Sequence, residues 1–337
     1  MSVLVKELAS LGAPSGFEEA VREFIKERIC ADEVYTDSMG NLICHKKGNG
    51  KKVMVAAHMD EVGLIITEIT DKGFLRFSTL GGIETAVLCS KKVLIGKNAV
   101  AGIVSAKAIH LQKGDEVTSP LKLKDLYIDI GANDKESAEK LVSQGDFAVF
   151  DGEYTPFGDK LVKSKALDDR VGCAIVLELS KEDFDSDMYF VFTVQEEVGL
   201  RGAQVAAHQI KPDIALVIEG TTCSDVYGSK PHNQVTNLCG GAVMTAVDRA
   251  AISDKGYYDF ILHTAKENNI KLQIKRTTAG GTDAGAIQRS GCGVKTAVLA
   301  VPCRYIHSPV SVMHTDDCQS VYKLAKAVLK NIERSGL

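Results

Sequence analysis

Seven side chains in this 337-residue sequence are of the types that bind divalent metals or move protons, and they recur at one kind of position. The apolar run "VMVAA" leads into His58 and Asp60, "MYFVFTVQ" into Glu196 and Glu197, "DIALVI" into Glu219, and "VKTAVLAVPCRYI" into His307. Asp168 heads an apolar helical stretch, "LDDRVGCAIVLEL". Each has an ordinary explanation when taken singly: a hydrogen-bonded core histidine, a surface "QEE", an acid favoured by the helix dipole, a loop acid, a surface histidine near Pro309. The joint pattern is harder to dismiss. Ligands of open α/β sheets bind at the carboxyl ends of the strands, and acids and imidazoles gathered there are costly to bury without a cation.

The chemistry of the set suits two ions. His58, Asp168, Glu197, Glu219 and His307 supply two imidazoles and three carboxylates, a donor set suited to two divalent cations, zinc foremost, with cobalt or manganese as alternatives. With Asp168 as a bridge, each ion receives three protein ligands and keeps room for a shared water. Two dications bring four positive charges and the carboxylates cancel three, which favours ionising that water near neutral pH and so metal-assisted hydrolysis. Adjacent residues of extended chain point to opposite sides. That assigns Glu197 to the metal and leaves Glu196 as the general base, carrying a proton from the water to a leaving amine. Asp60, two residues after His58, is expected to accept the second ring N–H and fix the tautomer.

These residues need a scaffold that brings strand ends together. Hydrophobic residues make up 45% of the chain and charged residues 25%, with a net charge of -4. The balance is that of a soluble globular protein and offers no basic footprint for nucleic acid or an anionic membrane. Nine cysteines with no C-x-x-C pair argue for reduced thiols and a cytoplasmic setting. The start, "MSVLVKELASLGAPSG", has Lys6 and Glu7 inside its apolar stretch, so it lacks a signal-peptide core. No run approaches the roughly 18 apolar residues of a spanning helix.

"SGFEEAVREFIKERI" reads as a helix whose capping box is Ser15 and Glu18, and residues 33–58 as strands. Residues 67–160 are short, β-rich segments broken by glycine, with "KESAEKLVSQG" the main helical exception. From residue 166 strands and helices alternate again, which predicts an α/β sheet covered by helices on both faces, with a small β-domain inserted. The expected division is 1–66 with 161–337 as one discontinuous domain, and 67–160 as the insert. "AGGTDAGAI" reads as a tight turn with Asp283 as helix cap, the alternative being backbone close to substrate. "LKLKD" reads as a solvated β-domain edge.

The segments "AHMDEVG", "ALDDRVG", "TVQEEVGLRGA", "VIEGTTC", "AGGTDAGAIQ" and "YIHSPVSVMHTDDC" occur in this order along the chain. In them the sequence resembles the M42 family of dinuclear metallo-aminopeptidases, the glutamyl- and deblocking-type enzymes, some of which carry an endoglucanase label. The resemblance implies a zinc-aminopeptidase α/β domain, an inserted barrel that mediates dimerisation, and homo-oligomers in which dimers assemble into a hollow dodecamer. It implies one ion on His58, Asp168 and Glu219, a second on Asp168, Glu197 and His307, and Glu196 as base. Members vary between Asp and Glu where Glu219 stands. The implied activity is removal of N-terminal residues from short peptides.

Two other functions compete. A glycoside hydrolase of the endoglucanase type needs two carboxylates flanking the bond, about 5 to 9.5 Å apart. It leaves both histidines unexplained, and this chain has no Trp to stack on sugars. A non-catalytic metal-binding scaffold leaves Glu196 without a task. The preferred N-terminal residue is not legible: glutamyl, leucyl, lysyl and blocked substrates all remain, with Lys230 and Arg249 as basic candidates for an acidic one.

Overall fold

The computed structural model describes residues 1–337, the side chains of Asp115 and Glu116 excepted. Two helices, α1 (Ser2–Ser10) and α2 (Glu19–Lys26), precede three strands, β1 (Glu33–Thr36), β2 (Leu42–Lys46) and β3 (Lys52–His58). In β3, Val53, Val55 and Ala57 join one buried cluster while Met54 and Ala56 join another. Successive residues of a strand face opposite ways, so a strand apolar at every position has to be covered on both faces.

Six strands then close a barrel: β4 (Gly63–Ile69), β5 (Leu75–Leu80), β6 (Lys92–Ile95), β7 (Val100–Ala106), β8 (Leu126–Asp129) and β9 (Phe147–Phe150), in the order β4-β5-β8-β7-β6-β9. The short helix α3 (Lys135–Glu139) is capped by Asp134, which accepts from the Ser137 N–H at 2.8 Å. The barrel strands start at Gly63 and end at Phe150, so the expected 67–160 begins inside the first of them and overruns the last. Only "MDEV" separates β3 from β4, with no glycine or proline to mark the change. The next two strands, β10 (Thr155–Phe157) and β11 (Leu161–Ser164), already belong to the large sheet.

The remainder alternates. Helix α4 (Leu167–Leu179) leads to β12 (Asp187–Thr193), α5 (Arg201–Ile210) to β13 (Ile214–Thr222), and β14 (Ala242–Thr245) precedes α6 (Lys255–Glu267) and β15 (Leu272–Ile274). Helix α7 (Ala284–Gln288), β16 (Lys295–Arg304), β17 (Ser311–His314) and α8 (Thr315–Asn331) complete the chain. The large sheet runs β1-β2-β12-β3-β13-β16-β17-β11-β10, with β14 and β15 branching from β16. Its centre is parallel: β12, β3, β13 and β16 pair side by side in one direction. Helices α1, α4, α6 and α8 bury their apolar faces on one side of the sheet, and α5 and α7 on the other. A mixed α/β sheet covered on both faces, with a closed six-stranded barrel beside it, is the fold the sequence predicts.

One local expectation fails. Ser15 and Glu18 do not form a capping box, since no side chain caps α2. Ser15 Oγ instead donates to Asp60 Oδ2 at 2.6 Å, and Glu18 Oε1 accepts from the Gly16 and Gln195 N–H groups. Both residues serve the site, and neighbours in sequence could not reveal that.

Candidate metal centre

Parallel pairing of β12, β3 and β13 puts their carboxyl ends at one edge of the sheet, and the candidate residues meet there. His58 is the last residue of β3. Glu219 lies within β13, which continues to Thr222 rather than ending at the acid. Glu196 and Glu197 follow β12, and His307 follows β16. Asp168 sits in the first turn of α4 with non-helical dihedrals, and its peptide bond to Asp169 is cis. Gly220, beside Glu219, is closely packed: a Cβ there would stand 3.0 Å from Asp168 Cα.

The distances define two triads that share an acid. His58 Nε2 lies 3.4 Å from Asp168 Oδ1 and 3.6 Å from Glu219 Oε2. His307 Nε2 lies 3.4 Å from Asp168 Oδ2 and 3.3 Å from Glu197 Oε2. In each triad, ligand atoms lie within 4.8 Å of one another. The Nδ1 of His58 donates to the Asp60 carbonyl and that of His307 to the Gly82 carbonyl, both at 3.0 Å. A carbonyl can only accept, so Nδ1 carries a proton in each ring and Nε2 is the nitrogen that would offer its lone pair to a cation. Asp168 Oδ1 and Glu219 Oε1 are buried with no hydrogen-bond donor, which leaves both oxygens available to a cation. The residues present fit two divalent ions.

The carboxylates and imidazoles perturb one another strongly. Burial pushes Glu219 and Glu196 well above the usual carboxylate range, and Glu197 upward, against the pull of the histidines. Burial also opposes the charge on Asp168, but His307 and His58 outweigh it and hold the acid below its ordinary value. His307 resists burial in the same way, held up to about 11 by Asp168 and Glu197.

Asp60 does a different job from the one its spacing suggests. Its backbone carbonyl accepts the His58 Nδ1–H at 3.0 Å, while the carboxylate Oδ1 stands farther from the same nitrogen, at 3.5 Å. The carboxylate accepts from Ser15 Oγ, from the Glu196 N–H at 3.0 Å and from the Glu197 N–H at 3.1 Å. It therefore fixes the turn that carries the adjacent glutamates. That turn is not extended chain: Gln195 has φ 56, so alternation along a strand is not what separates Glu196 from Glu197. Glu197 faces His307 and Asp168, whereas Glu196 stays out of both triads and lines the cavity in front of them.

Three contributors, Asp169, Gly82 and Glu61, were not singled out in the sequence, and a fourth, Asp283, was singled out for another reason. Asp169 accepts from the His58 and Gly172 N–H groups at 3.3 and 2.9 Å. Gly82, from the barrel, orients His307. Asp283 stands at the N-cap position of α7, but its side chain makes no cap hydrogen bond; its Oδ2 accepts from Thr193 Oγ1 at 2.5 Å, just before the turn that carries Glu196 and Glu197. Glu61 binds Lys165 and Arg170 at 2.7 and 3.2 Å in a buried ion cluster behind the site. Each is a long-range pairing with no fixed spacing to announce it.

The cavity measures about 500 Å³. Beyond the triads it is lined by small and polar residues including Thr221, Thr245, Thr277 and Gly281, by the apolar Leu200, Val235, Val298 and Ile306, and by Lys275. Lys230 and Arg249 are exposed and do not line it.

A sheet with this parallel centre and a closed barrel alongside is the fold found in structures of TET aminopeptidases. The structure of one from the marine sediment archaeon Thaumarchaeota archaeon SCGC AB-539-E09 superposes with a TM-score of 0.93 at 34% identity, over 98% of this chain and 96% of that one. The chain belongs to the M42 glutamyl aminopeptidase family, whose profile matches residues 40–324. It is 43% identical over 325 residues to a protein of Acetivibrio thermocellus named as a candidate aminopeptidase, covering 95% of this chain and 96% of that one. It is 31% identical to the lysyl aminopeptidase of Pyrococcus furiosus, over 98% and 97% of the two chains. The TET1 peptidase of Pyrococcus horikoshii, which can assemble into a tetrahedron or a large octahedral shell, matches at 35% identity with a TM-score of 0.88, over 98% and 99%. A Thermotoga maritima structure named endoglucanase matches at 33% identity and TM-score 0.82, over 98% of each chain. The family and the curated relatives are aminopeptidases, so the glycoside hydrolase alternative is a mislabel. Among the described residues, no helix is long and apolar enough to cross a membrane.

Proposed function

We propose that this aminopeptidase removes N-terminal residues from short peptides at a dinuclear centre of divalent cations, zinc foremost, with cobalt or manganese as alternatives. His58, Asp168 and Glu219 would hold one ion, and Asp168, Glu197 and His307 the other. When bound, such ions polarise the scissile carbonyl and acidify water. The reading rests chiefly on one observation: two ligand triads share Asp168 while Glu196 stands beside them belonging to neither.

Glu196 is the general base of this reading. Burial raises its proton affinity well above that of an ordinary carboxylate, which suits a group that takes a proton from attacking water and returns it to the leaving amine. Asp60 holds the Glu196 and Glu197 N–H groups, so base and ligand keep a fixed separation. The insert supplies the Gly82 carbonyl to His307 and, by likeness to the TET peptidases, the contacts through which copies form dimers and then a dodecamer. Nine unpaired cysteines suit a reducing cytoplasm.

Glu196→Gln tests the reading against a scaffold role. A catalyst keeps its metal and loses about 10²- to 10⁴-fold in kcat on aminoacyl-p-nitroanilides. A variant that stays fully active removes Glu196 from the mechanism.

A further inference from the structure

The cavity in front of the triads is lined by His58, Asp168, Glu196, Glu197 and Glu219, and a single basic side chain of the lysine or arginine type reaches it, Lys275. Lys275 follows the edge strand β15, anchored by its N–H on the Met244 carbonyl at 3.0 Å. Its side chain is half-buried and its Nζ lies 3.9 Å from where a Cβ on Gly280 would stand, so it lies against the glycine loop at the cavity wall. Among the described residues no carboxylate or carbonyl pairs with that Nζ, although Lys residues elsewhere in the chain find partners, as Lys165 does on Glu61. A partly desolvated ammonium without an anion is unfavourable. An ammonium facing a substrate cavity is a ready receptor for one.

We infer that Lys275 selects substrates by a carboxylate that reaches the cavity wall. The inference rests on the aminopeptidase reading above. It gives the site a second recognition point, opposite in sign to the acids that would face a substrate's amino-terminus. Two parts of a short peptide could supply the carboxylate: the side chain of an acidic N-terminal residue, or the C-terminus of a dipeptide. Peptides whose first side chain is basic would meet like charge and be disfavoured.

Four substrates separate these sources in the metal-loaded enzyme. Glutamyl-p-nitroanilide carries a carboxylate on its first side chain, and leucyl-leucine carries one at its C-terminus. Leucyl-p-nitroanilide and leucyl-leucinamide carry none. Loss of one charge-assisted hydrogen bond predicts that Lys275→Ala lowers kcat/KM for one of the carboxylate carriers, relative to its uncharged counterpart, by about tenfold to a hundredfold. The carrier affected names the source. Lys275→Glu should carry the ratio further and favour lysyl-p-nitroanilide. Calorimetric titration with free glutamate and leucine gives a reading independent of turnover, and the Lys275→Ala variant should lose the difference between them. Ratios that stay within threefold in both variants overturn the inference alone, because the enzyme still cleaves. A wild type inactive on all the substrates overturns the exopeptidase reading and this inference with it.

Discussion

Asp60→Asn changes one oxygen to an amide nitrogen at the point where the site is held together. The Asp60 carboxylate is fully buried. Its Oδ1 accepts from the Glu196 N–H at 3.0 Å, and its Oδ2 from Ser15 Oγ at 2.6 Å and the Glu197 N–H at 3.1 Å. Ser15 can rotate to accept, but a backbone N–H cannot. Whichever way the amide sits, its NH₂ faces one of the two glutamate N–H groups, which is left without an acceptor. An unpaired buried donor costs about 1–3 kcal/mol, and the bonds lost are charge-assisted, so about 2 kcal/mol of stability is expected to go. The turn carrying Glu196 and Glu197 must move to relieve the contact. Metal affinity should fall about 10- to 100-fold, as when the orienting partner of a ligand is removed. Catalysis should fall about 10²-fold or more, since a 1 Å misplacement is that expensive. Chelator competition with zinc, thermal melting and kcat/KM on one substrate measure the three effects. Metal binding and stability within threefold and 0.5 kcal/mol of wild type, roughly the level of an indifferent surface change, would refute this account of Asp60 as the clasp of the turn.

Two further changes probe the site's supports. Burial raises Asp283 to about 6, against the pull of its Thr193 hydrogen bond, whereas an unfolded aspartate titrates near roughly 3.9. The folded state therefore keeps this proton longer, and the residue's contribution to stability, full below about pH 4, is lost as pH rises through about 6. Melting of metal-free Asp283→Asn against metal-free wild type should show the variant gaining with pH across that window, by roughly 2–3 kcal/mol at pH 8; parallel curves would show that Asp283 titrates normally. Arg304 pairs in fork geometry with Asp225 through Nε at 2.7 Å and Nη2 at 2.9 Å, three residues before His307. Arg304→Met should cost about 1–3 kcal/mol and weaken one step of a two-step zinc titration more than the other, while equal weakening of both steps would divorce the pair from His307.

What the sequence revealed depended on distance along the chain. His58, Glu197, Glu219 and His307 stood out because apolar runs lead into them and parallel strands bring such positions to one edge, whereas Asp168 stood out at the head of an apolar helix. The alternation of strands and helices from residue 166, which the helices Arg201–Ile210, Lys255–Glu267 and Thr315–Asn331 bear out, was legible from the succession of apolar segments. The separation of Glu196 from Glu197 was expected for the wrong reason, since the left-handed Gln195 makes a turn that no strand pattern encodes. Ser15 illustrates the limit most clearly. A serine three residues before a glutamate matches a capping box, yet both side chains are committed to partners 45 and 177 residues away. Local signals state what a residue can do, and tertiary contact decides which of those things it does.

The two imidazoles show how differently the halves of the centre are assembled. His58 is oriented by a carbonyl two residues along its own strand end, whereas His307 is oriented by Gly82, 225 residues earlier and in the barrel. A Cβ on the neighbouring Gly81 would approach Glu197 Cβ to 3.2 Å, so the barrel loop also bounds the ligand opposite His307. One triad is thus framed by the large sheet and α4. The other is complete only when the loop after β5 is seated against it. Whatever displaces the barrel loop acts first on His307 and Glu197 and leaves His58 and Glu219 in place. The barrel loop is thus part of the candidate metal centre's second triad through the Gly82 carbonyl.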